Sequence, residues 1–276
     1  MKVVHLSDCC HNRGLGMPLS RSTAIPGLRY SGIACVEVLG SGIAGLRVAM
    51  LPRMQPLVLP AEGRRIGLIG KGGSGKSTTA AHLLAHWSDV GVPVVGVDMD
   101  KPGDDEPGSL YAWASQVDLG APVYPAPAHT RLAVEVRRLT PDKGLALVDT
   151  GAWERRAGGP HFAVLGAVDL AVLTLQPTDM EMERAGSVLA ALDHLESVGA
   201  PAPRLVILLT MVNASARSAA DTRQALVDLG YTVLRTQIPR SDARDGYAQA
   251  FGQTPRLVEG SPMQLLAEEL LQEVAR

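Results

Sequence analysis

The sequence predicts an α/β fold with a mostly parallel, doubly wound sheet and helices on both faces. Beyond about residue 64, short apolar runs alternate with segments of helical periodicity, which is typical of βαβ units. A glycine-rich segment lies between the first apolar run and the first helical segment. Polar residues follow the ends of several runs, where such sheets bind ligands. These residues are Lys71, Asp98, Asp100, Asp149, Gln176 and Asn213.

Each element is predicted from its apolar pattern and its flanking residues. Short, continuous apolar runs indicate buried strands, and we assign them to residues 65–69, 93–97, 145–148, 169–175, 205–209 and 231–234. Longer amphipathic segments indicate helices, which we assign to residues 76–90, 130–139, 180–195, 216–229 and 262–274. The last of these begins with Pro262, a residue suited to the first turn of a helix.

Composition limits the classes of function. The formal net charge of −2 over 276 residues argues against a protein that coats nucleic acid through bulk charge, although a local basic patch is compatible with it. The three cysteines, Cys9, Cys10 and Cys35, have neither metal-ligand spacing nor an even count, which favours a reducing cytoplasm. We expect no membrane-spanning helix, because no apolar stretch reaches about 18 uninterrupted residues.

The domain organisation changes near residue 64. We predict an N-terminal extension over residues 1–63 and a single α/β domain over residues 64–276. The extension contains G-x-G-x-x-G at residues 40–45, but Pro52 and Pro56 interrupt the helix that a dinucleotide site requires. Three interpretations of residues 1–63 stay open: an extension, a flexible arm, or residues translated upstream of the natural start.

The glycine-rich segment matches the phosphate-loop pattern G-x-x-x-x-G-K-[ST] in its required context, between a strand and a helix. Glycines let successive N–H groups face phosphate oxygens, Lys76 can reach the β- and γ-phosphates, and the Ser77 hydroxyl can bind Mg²⁺. The alternative is a glycine turn without a ligand. The predicted nucleotide-binding residues are Gly70, Lys71, Gly72, Gly73, Ser74, Gly75, Lys76, Ser77 and Thr78.

With its extra lysine at Lys71, this loop resembles the deviant Walker A motif of the ParA/MinD family of P-loop ATPases. The resemblance covers residues 64–276. It implies ATP and Mg²⁺ as cofactors, and a homodimer in which Lys71 reaches the nucleotide bound by the other subunit. Lys71 and Lys76 would then both take part in catalysis. The simpler alternative is that Lys71 is only a second cation near phosphate.

Three carboxylates follow predicted strands. Asp98 and Asp100 alternate, so both side chains point toward the same side. The resemblance implies that Asp100 positions the attacking water and that Asp98 supports Mg²⁺. Lys101 and Pro102 stand where the family usually has Pro-Gln, and a solvated acidic turn is the alternative. Asp149 follows the strand at residues 145–148 and can hold Mg²⁺ through water, or it simply ends the strand.

The C-terminal half carries further similarity to this family. Asn213 ends a T-x-x-N segment similar to the one that holds adenine, although it could equally be a turn residue. An I-P-R segment at residues 238–240 and its surroundings resemble a region that contacts DNA phosphates. The corresponding candidates are Arg217, Arg223, Arg240 and Arg244, each of which could instead be a solvated surface residue.

The leading hypothesis is a ParA-type partition ATPase. It would be a slow, partner-stimulated ATP hydrolase in the bacterial cytoplasm, associated with the nucleoid. ATP would close a dimer that binds non-specific DNA, and a ParB-like partner would stimulate the hydrolysis that releases it. The alternatives are a MinD-like spatial regulator and a metabolic P-loop ATPase or ligase. Membrane binding is not expected, because the C-terminal helix is amphipathic but acidic.

Overall fold

The structure is a computed structural model that describes residues 59–100, 107–126, 131–153, 160–213, 217–243 and 246–276. The three cysteines and the glycine motif at residues 40–45 lie outside this part of the chain. The predicted boundary between residues 63 and 64 therefore stays a prediction. None of the helices in the described part is long and apolar enough to cross a membrane.

The described residues form strands and helices that alternate along most of the chain. The strands are β1 Arg64–Gly70, β2 Val94–Asp98, β3 Val123–Pro125, β4 Leu145–Asp149, β5 Leu170–Leu175, β6 Arg204–Val212 and β7 Val233–Pro239. The helices are α1 Lys76–Asp89, α2 Ser109–Ala114, α3 Leu132–Leu139, α4 Pro160–Leu165, α5 Asp179–Ser197, α6 Ser218–Asp228 and α7 Pro262–Val274. A short 3₁₀ helix, Tyr247–Gln249, precedes α7.

The strands form one sheet, which confirms the predicted fold class. Within the described part of the chain, this sheet has seven strands in the order β3-β2-β4-β1-β5-β6-β7. Every pair of neighbouring strands in it is parallel. All carboxyl ends therefore lie at the same edge of the sheet, and β1 lies between β4 and β5.

The core has two layers, one on each face of the sheet. Alternate side chains of a strand point to opposite faces, so Leu145 and Leu147 of β4 pack in one layer while Ala146 and Val148 pack in the other. Residues of α1, α2 and α7 complete the first layer, and residues of α3, α4, α5 and α6 complete the second. Burial on both faces explains why the strands are mostly apolar instead of alternating between apolar and polar residues.

Every predicted strand and helix is present, with ends that differ by a few residues. The sequence interpretation missed α2, β3 and α4, which have six, three and six residues. Elements this short do not complete enough turns or alternations to show a period. Strand β7 extends to Pro239, beyond the predicted end at residue 234.

Polar contacts with α1 and with β7, as well as an apolar face, hold helix α7 in place. The buried Trp87 indole donates to the carbonyl of Ala267 over 3.1 Å. The Glu269 carboxylate accepts the backbone N–H groups of Arg235 and Thr236 over 2.8 and 2.9 Å. Burial acts to raise the pKa of Glu269, but these hydrogen bonds outweigh it, so the pKa lies below its ordinary value of 4.5.

We expect Glu269→Gln to lower the free energy of unfolding at pH 7 by about 1–3 kcal/mol, because hydrogen bonds to a charged acceptor are lost. The folded-state pKa is below the ordinary value, so the carboxylate stabilises the fold above about pH 4.5. That stabilisation disappears as the pH falls through the folded-state pKa. Urea denaturation from pH 7 to pH 3 should therefore show the variant and wild-type stabilities converging.

The exposed neighbour Glu268 gives a matched control on the same helix. Glu268→Gln should change the free energy of unfolding much less at pH 7. Equal effects of the two substitutions, or a Glu269→Gln effect that does not change with pH, would show that the carboxylate does not stabilise α7 in this way.

Candidate functional site

The site begins with the parallel pairing of β1 with β4 and β5. The register places Leu68 beside Asp149 and Gly70 beside Thr174. The segment that follows Gly70 therefore emerges between the ends of two neighbouring strands. Because β2 pairs with β4, Asp98 also lies beside Asp149. The sheet thus brings the glycine-rich loop and two of the predicted carboxylates to one place.

The backbone of the loop requires glycine at three positions. Gly70, Gly73 and Gly75 have φ angles of 149°, 76° and 86°, which side chains with a Cβ rarely adopt. At Gly70 there is also no room, since a Cβ would lie 2.4 Å from the Thr174 hydroxyl oxygen. Helix α1 begins immediately afterwards at Lys76, so its first N–H groups face the loop. This arrangement can bind phosphate oxygens.

Lys76 is 6% exposed, and its ammonium donates to the loop itself. The Nζ atom lies 3.1 Å from the carbonyl oxygen of Gly70 and 2.9 Å from that of Lys71. Burial lowers the pKa of Lys76, while the charges of Asp149 and Asp100 oppose that change. A buried ammonium between a curled loop and two carboxylates can bind a phosphate group that enters the loop.

Asp149 is fully buried. Neither carboxylate oxygen has a hydrogen bond of normal geometry within the described part of the chain. The pKa of Asp149 is raised to about 7, chiefly because the carboxylate is buried. The charges of Asp98 and Asp100 also act to raise it, while the Ser77 hydroxyl and the Lys76 ammonium act to lower it.

A buried carboxylate that lacks hydrogen bonds and lies near a hydroxyl suits a hard cation such as Mg²⁺. No cluster of three or more histidine, cysteine or acidic side chains among the described residues could hold a metal by itself. Mg²⁺ seldom uses such a cluster, because it usually keeps several waters and binds substrate phosphates. The available side chains, Ser77 and Asp149, therefore fit Mg²⁺ bound together with a nucleotide.

Asp98 and Asp100 have different surroundings. The buried Asp98 carboxylate accepts the N–H groups of Asp100 over 2.8 Å and of Tyr111 over 2.7 Å. Burial raises the pKa of Asp98, and its backbone hydrogen bonds oppose the increase. Asp98 therefore holds the start of α2 next to the site. Asp100 is partly exposed and accepts the Ser109 hydroxyl at 3.3 Å, so its carboxylate is more accessible to a solvent molecule.

The two lysines of the loop also differ. Unlike the buried Lys76, the Lys71 side chain is 45% exposed, and its ammonium lies 3.4 Å from a carboxylate oxygen of Glu181. The Glu181 side chain, at the start of α5, is only 5% exposed. Lys71 thus extends toward the outside of the loop, where a buried acidic group compensates its charge.

The predicted adenine contact lies at the end of β6. Asn213 is exposed, and Met211 before it has a positive φ of 51°, which is uncommon for a residue with a side chain. The Gln176 amide donates toward the Met211 sulfur at 3.2 Å and the Gly73 carbonyl at 3.4 Å. Gln176 therefore connects the phosphate loop to the segment that carries Asn213.

The four arginines predicted to contact DNA are not equivalent. The Arg223 guanidinium donates to the carbonyl of Leu234 at 2.5 Å and more weakly to two neighbouring carbonyls of β7. It therefore has a structural partner already. Arg240 is exposed and pairs with Asp242 at 2.7 Å, and Arg217 is exposed at the start of α6. Arg244 lies outside the described residues.

Sequence interpretation missed three polar residues around the site, namely Ser109, Thr174 and Glu181. Thr174 lies against the phosphate loop. Thr174 had a detectable signal, because it is a single polar residue within an apolar strand. The sequence carries no comparable signal for Glu181, which reaches the site only through the packing of α5.

Comparison with solved structures gives fold relatives at low identity. Cobyrinic acid a,c-diamide synthase from Mycobacterium smegmatis, solved with ADP and magnesium, is 18% identical, with a TM-score of 0.55 over 76% of this chain and 92% of that chain. An McdA–ATP complex from Cyanothece is 17% identical, with a TM-score of 0.55 over 78% and 96% of the two chains. A ParA family ATPase from Chlorobium tepidum is 18% identical, with a TM-score of 0.53 over 77% of this chain and 98% of that chain.

Sequence comparison gives the family. No curated protein matches the chain significantly. The family model of the CobQ/CobB/MinD/ParA nucleotide-binding domain matches residues 68–249. That range contains the phosphate loop after β1, the carboxylates that end β2 and β4, and Asn213 after β6. The chain therefore belongs to the CobQ/CobB/MinD/ParA nucleotide-binding domain family.

Proposed function

We propose that this chain is a ParA-type ATPase that acts in plasmid or chromosome partitioning. ATP closes a homodimer that binds DNA without sequence preference, and slow, partner-stimulated hydrolysis releases it. The observation that carries this proposal is the contrast between the two lysines of the phosphate loop. Lys76 is buried against the loop that would hold its own nucleotide, whereas Lys71 is half-exposed and its ammonium pairs with Glu181 of α5 instead of with the loop. On leaving Glu181, Lys71 could reach a nucleotide that a second subunit presents.

ATP and Mg²⁺ are the proposed cofactors. Residues 70–78 would surround the phosphates, Ser77 would bind Mg²⁺ directly, and Asp149 would hold it through water. Mg²⁺ would neutralise charge on the phosphates during hydrolysis. Asp98 supports this region by holding α2 through backbone hydrogen bonds. Asn213, which directly follows β6, would contact the adenine edge.

Hydrolysis needs a group that positions the attacking water, and Asp100 is the proposed one. Its carboxylate is partly exposed and lies close to Gly151, where a Cβ would come within 2.9 Å of a carboxylate oxygen. Asp100, which belongs to the loop after β2, therefore lies next to the loop after β4. A change in γ-phosphate contacts at either loop would move this carboxylate, which suits a switch with slow basal hydrolysis.

DNA binding is proposed to involve arginine contacts with phosphates, which give sequence-independent and salt-sensitive affinity. Arg217 and Arg240 are exposed and suited to this role. Arg244 remains a candidate from its sequence position, and Arg223 is the weakest because β7 carbonyls already engage it. A ParB-like protein bound to DNA is the proposed activating partner, and the bacterial cytoplasm, at the nucleoid, is the proposed location.

Two other functions of this family remain alternatives. A MinD-like regulator needs a helix that can lie on a membrane, but the apolar face of α7 is already packed in the core through Leu266, Leu270 and Val274. A metabolic ATPase or ligase needs a second substrate beside the γ-phosphate. One of the similar solved structures is a synthase, and the experiment below distinguishes this alternative from DNA partitioning.

The proposal is tested by binding of the purified protein to non-specific duplex DNA with ATP, with ADP and without nucleotide, across a salt series. We expect binding only with ATP and Mg²⁺, with an affinity that falls steeply as salt increases. Lys76→Ala should abolish the effect by removing the phosphate contact. Asp100→Ala should bind ATP and DNA but release the DNA much more slowly.

Nucleotide binding without DNA affinity would contradict partitioning and favour the regulator or the ligase. Vesicles of anionic lipid and carboxylate substrates would then be tested in turn. Wild-type hydrolysis and DNA release in Asp100→Ala would exclude Asp100 as the residue that positions water.

We expect Glu181→Gln to promote ATP-dependent dimerisation, because Lys71 must leave its own carboxylate partner to reach the second nucleotide. A partly exposed ion pair contributes at most about 1 kcal/mol, and a homodimer must release two of them, so the dimer dissociation constant should fall by up to about thirtyfold. Sedimentation across protein concentrations with a non-hydrolysable ATP analogue measures this constant. Glu183→Gln, exposed on the same helix, is the control and should leave it unchanged. A weaker dimer in Glu181→Gln would contradict the proposed role of Lys71.

We expect Asp149→Asn to stabilise the nucleotide-free protein at pH 8 while removing the extra stability given by Mg²⁺ and ATP. The folded-state pKa of about 7 exceeds the ordinary value of 3.8. The wild-type fold therefore loses stability as the pH rises between these values, and a neutral amide avoids that loss. At pH 8 the gain should be about 1 kcal/mol or more, since burying an unpaired carboxylate is costly.

Chemical denaturation at pH 5 and pH 8, followed by thermal melting with Mg²⁺ and ATP, measures both effects. The difference between variant and wild type should be much smaller at pH 5. Asp142→Asn, at an exposed position, serves as the control. A variant that gains no stability at pH 8, or keeps its full response to Mg²⁺ and ATP, would show that Asp149 is not the buried metal-binding carboxylate.

A further inference from the structure

Thr174 is a polar residue in an otherwise apolar strand. The other residues of β5, Leu170–Leu175, are buried and apolar, and Thr174 itself is 1% exposed. A buried hydroxyl destabilises a protein unless it forms hydrogen bonds. Those of Thr174 are made with β1 and the phosphate loop, since Thr174 is the register neighbour of Gly70.

A chain of hydroxyl groups leads from Thr174 into the loop. The Thr174 Oγ1 atom lies 2.6 Å from the Oγ of Ser74, which is fully buried, and Ser74 Oγ donates to the carbonyl of Lys71 at 2.8 Å. Each hydroxyl has a single proton. The two shortest contacts are both satisfied when Thr174 donates to Ser74 and Ser74 donates to Lys71. The other acceptor near Thr174, the Ile69 carbonyl, is more distant at 3.1 Å.

The carbonyl of Lys71 is the point at which several contacts of the loop meet. Besides the Ser74 hydroxyl, it accepts the Ser74 N–H at 3.2 Å and the Lys76 ammonium at 2.9 Å. Its orientation fixes the peptide plane between Lys71 and Gly72. That plane determines where the Gly72 N–H points and from where the Lys71 side chain leaves the backbone.

We propose that Thr174 is a positioning residue for nucleotide binding. Its hydroxyl acts through Ser74 to hold the Lys71 carbonyl, and thereby the phosphate loop, in the conformation that accepts phosphate. The proposal rests on nucleotide binding by this chain and adds a residue from β5, outside the phosphate-loop motif. The close approach of Gly70 to Thr174 means that the strand and the loop cannot shift independently.

The test is Thr174→Val, which keeps the shape of the side chain but replaces the hydroxyl with a methyl group. A methyl carbon and a hydroxyl oxygen need roughly 3.3 Å or more, whereas the present contact is 2.6 Å, so Ser74 must move. We expect the affinities for ATP and ADP to fall about three- to tenfold, the usual effect of losing one hydrogen bond. Thr174→Ser should restore affinity, because it keeps the hydroxyl.

Thr140→Val is the matched control, since its hydroxyl also donates to a carbonyl, that of Val136 at the end of α3, over 2.6 Å. It should lower the melting temperature without changing nucleotide affinity. Ser74→Ala interrupts the hydroxyl chain from the other side and gives a second variant if Thr174→Val does not fold. The double variant should lose less affinity than the two single losses combined, because both act through one chain.

Titration with a fluorescent nucleotide, together with melting temperatures of every variant, separates positioning from simple destabilisation. Wild-type nucleotide affinity in Thr174→Val would overturn the positioning role and leave the proposed function intact. If Thr174→Val does not fold, wild-type affinity in Ser74→Ala would have the same meaning. Equal affinity losses in Thr140→Val and Thr174→Val would also overturn it. A wild-type protein that binds neither ATP nor ADP would overturn the proposed function as well.

Discussion

The parallel pairing of β1 with β4 and with β5 is the constraint on which the rest of the site depends. It places Gly70 between the ends of two strands, so the loop that follows has a carboxylate on one side and a hydroxyl on the other. Asp149 could not reach the loop if the β1–β4 pairing shifted by one residue, and Thr174 could not if the β1–β5 pairing did, because a one-residue slip turns every side chain to the opposite face.

The site contains several buried charged side chains, and burying them lowers the stability of the fold. Lys76 has a lowered pKa, and Asp149 and Asp98 have raised ones, each chiefly because burial disfavours the charged form. Asp98 recovers stability through backbone hydrogen bonds, whereas the Asp149 oxygens have no such partner among the described residues. Such a cost is expected where a protein keeps charge ready for a ligand, and it occurs at functional sites more often than elsewhere.

The polar contacts behind the loop explain how a flexible, glycine-rich segment keeps one conformation. Glycines allow the required φ angles but also lower the barrier to other conformations. The bonds from Ser74 and Lys76 to the Lys71 carbonyl restrict that freedom. Lys71 consequently leaves the loop in a defined direction, toward Glu181.

The sequence by itself determined the fold class, most of the strands and helices, the phosphate loop and the carboxylates that end β2 and β4. These are local properties, because apolar runs, helical periodicity and a glycine-rich motif are visible within a few turns of the chain. Only the tertiary structure decided the order of the strands, the short elements α2, β3 and α4, and the positions of Thr174 and Glu181 beside the phosphate loop. Those features depend on contacts between residues about 100 positions apart, such as Ser74 with Thr174, which no local pattern encodes.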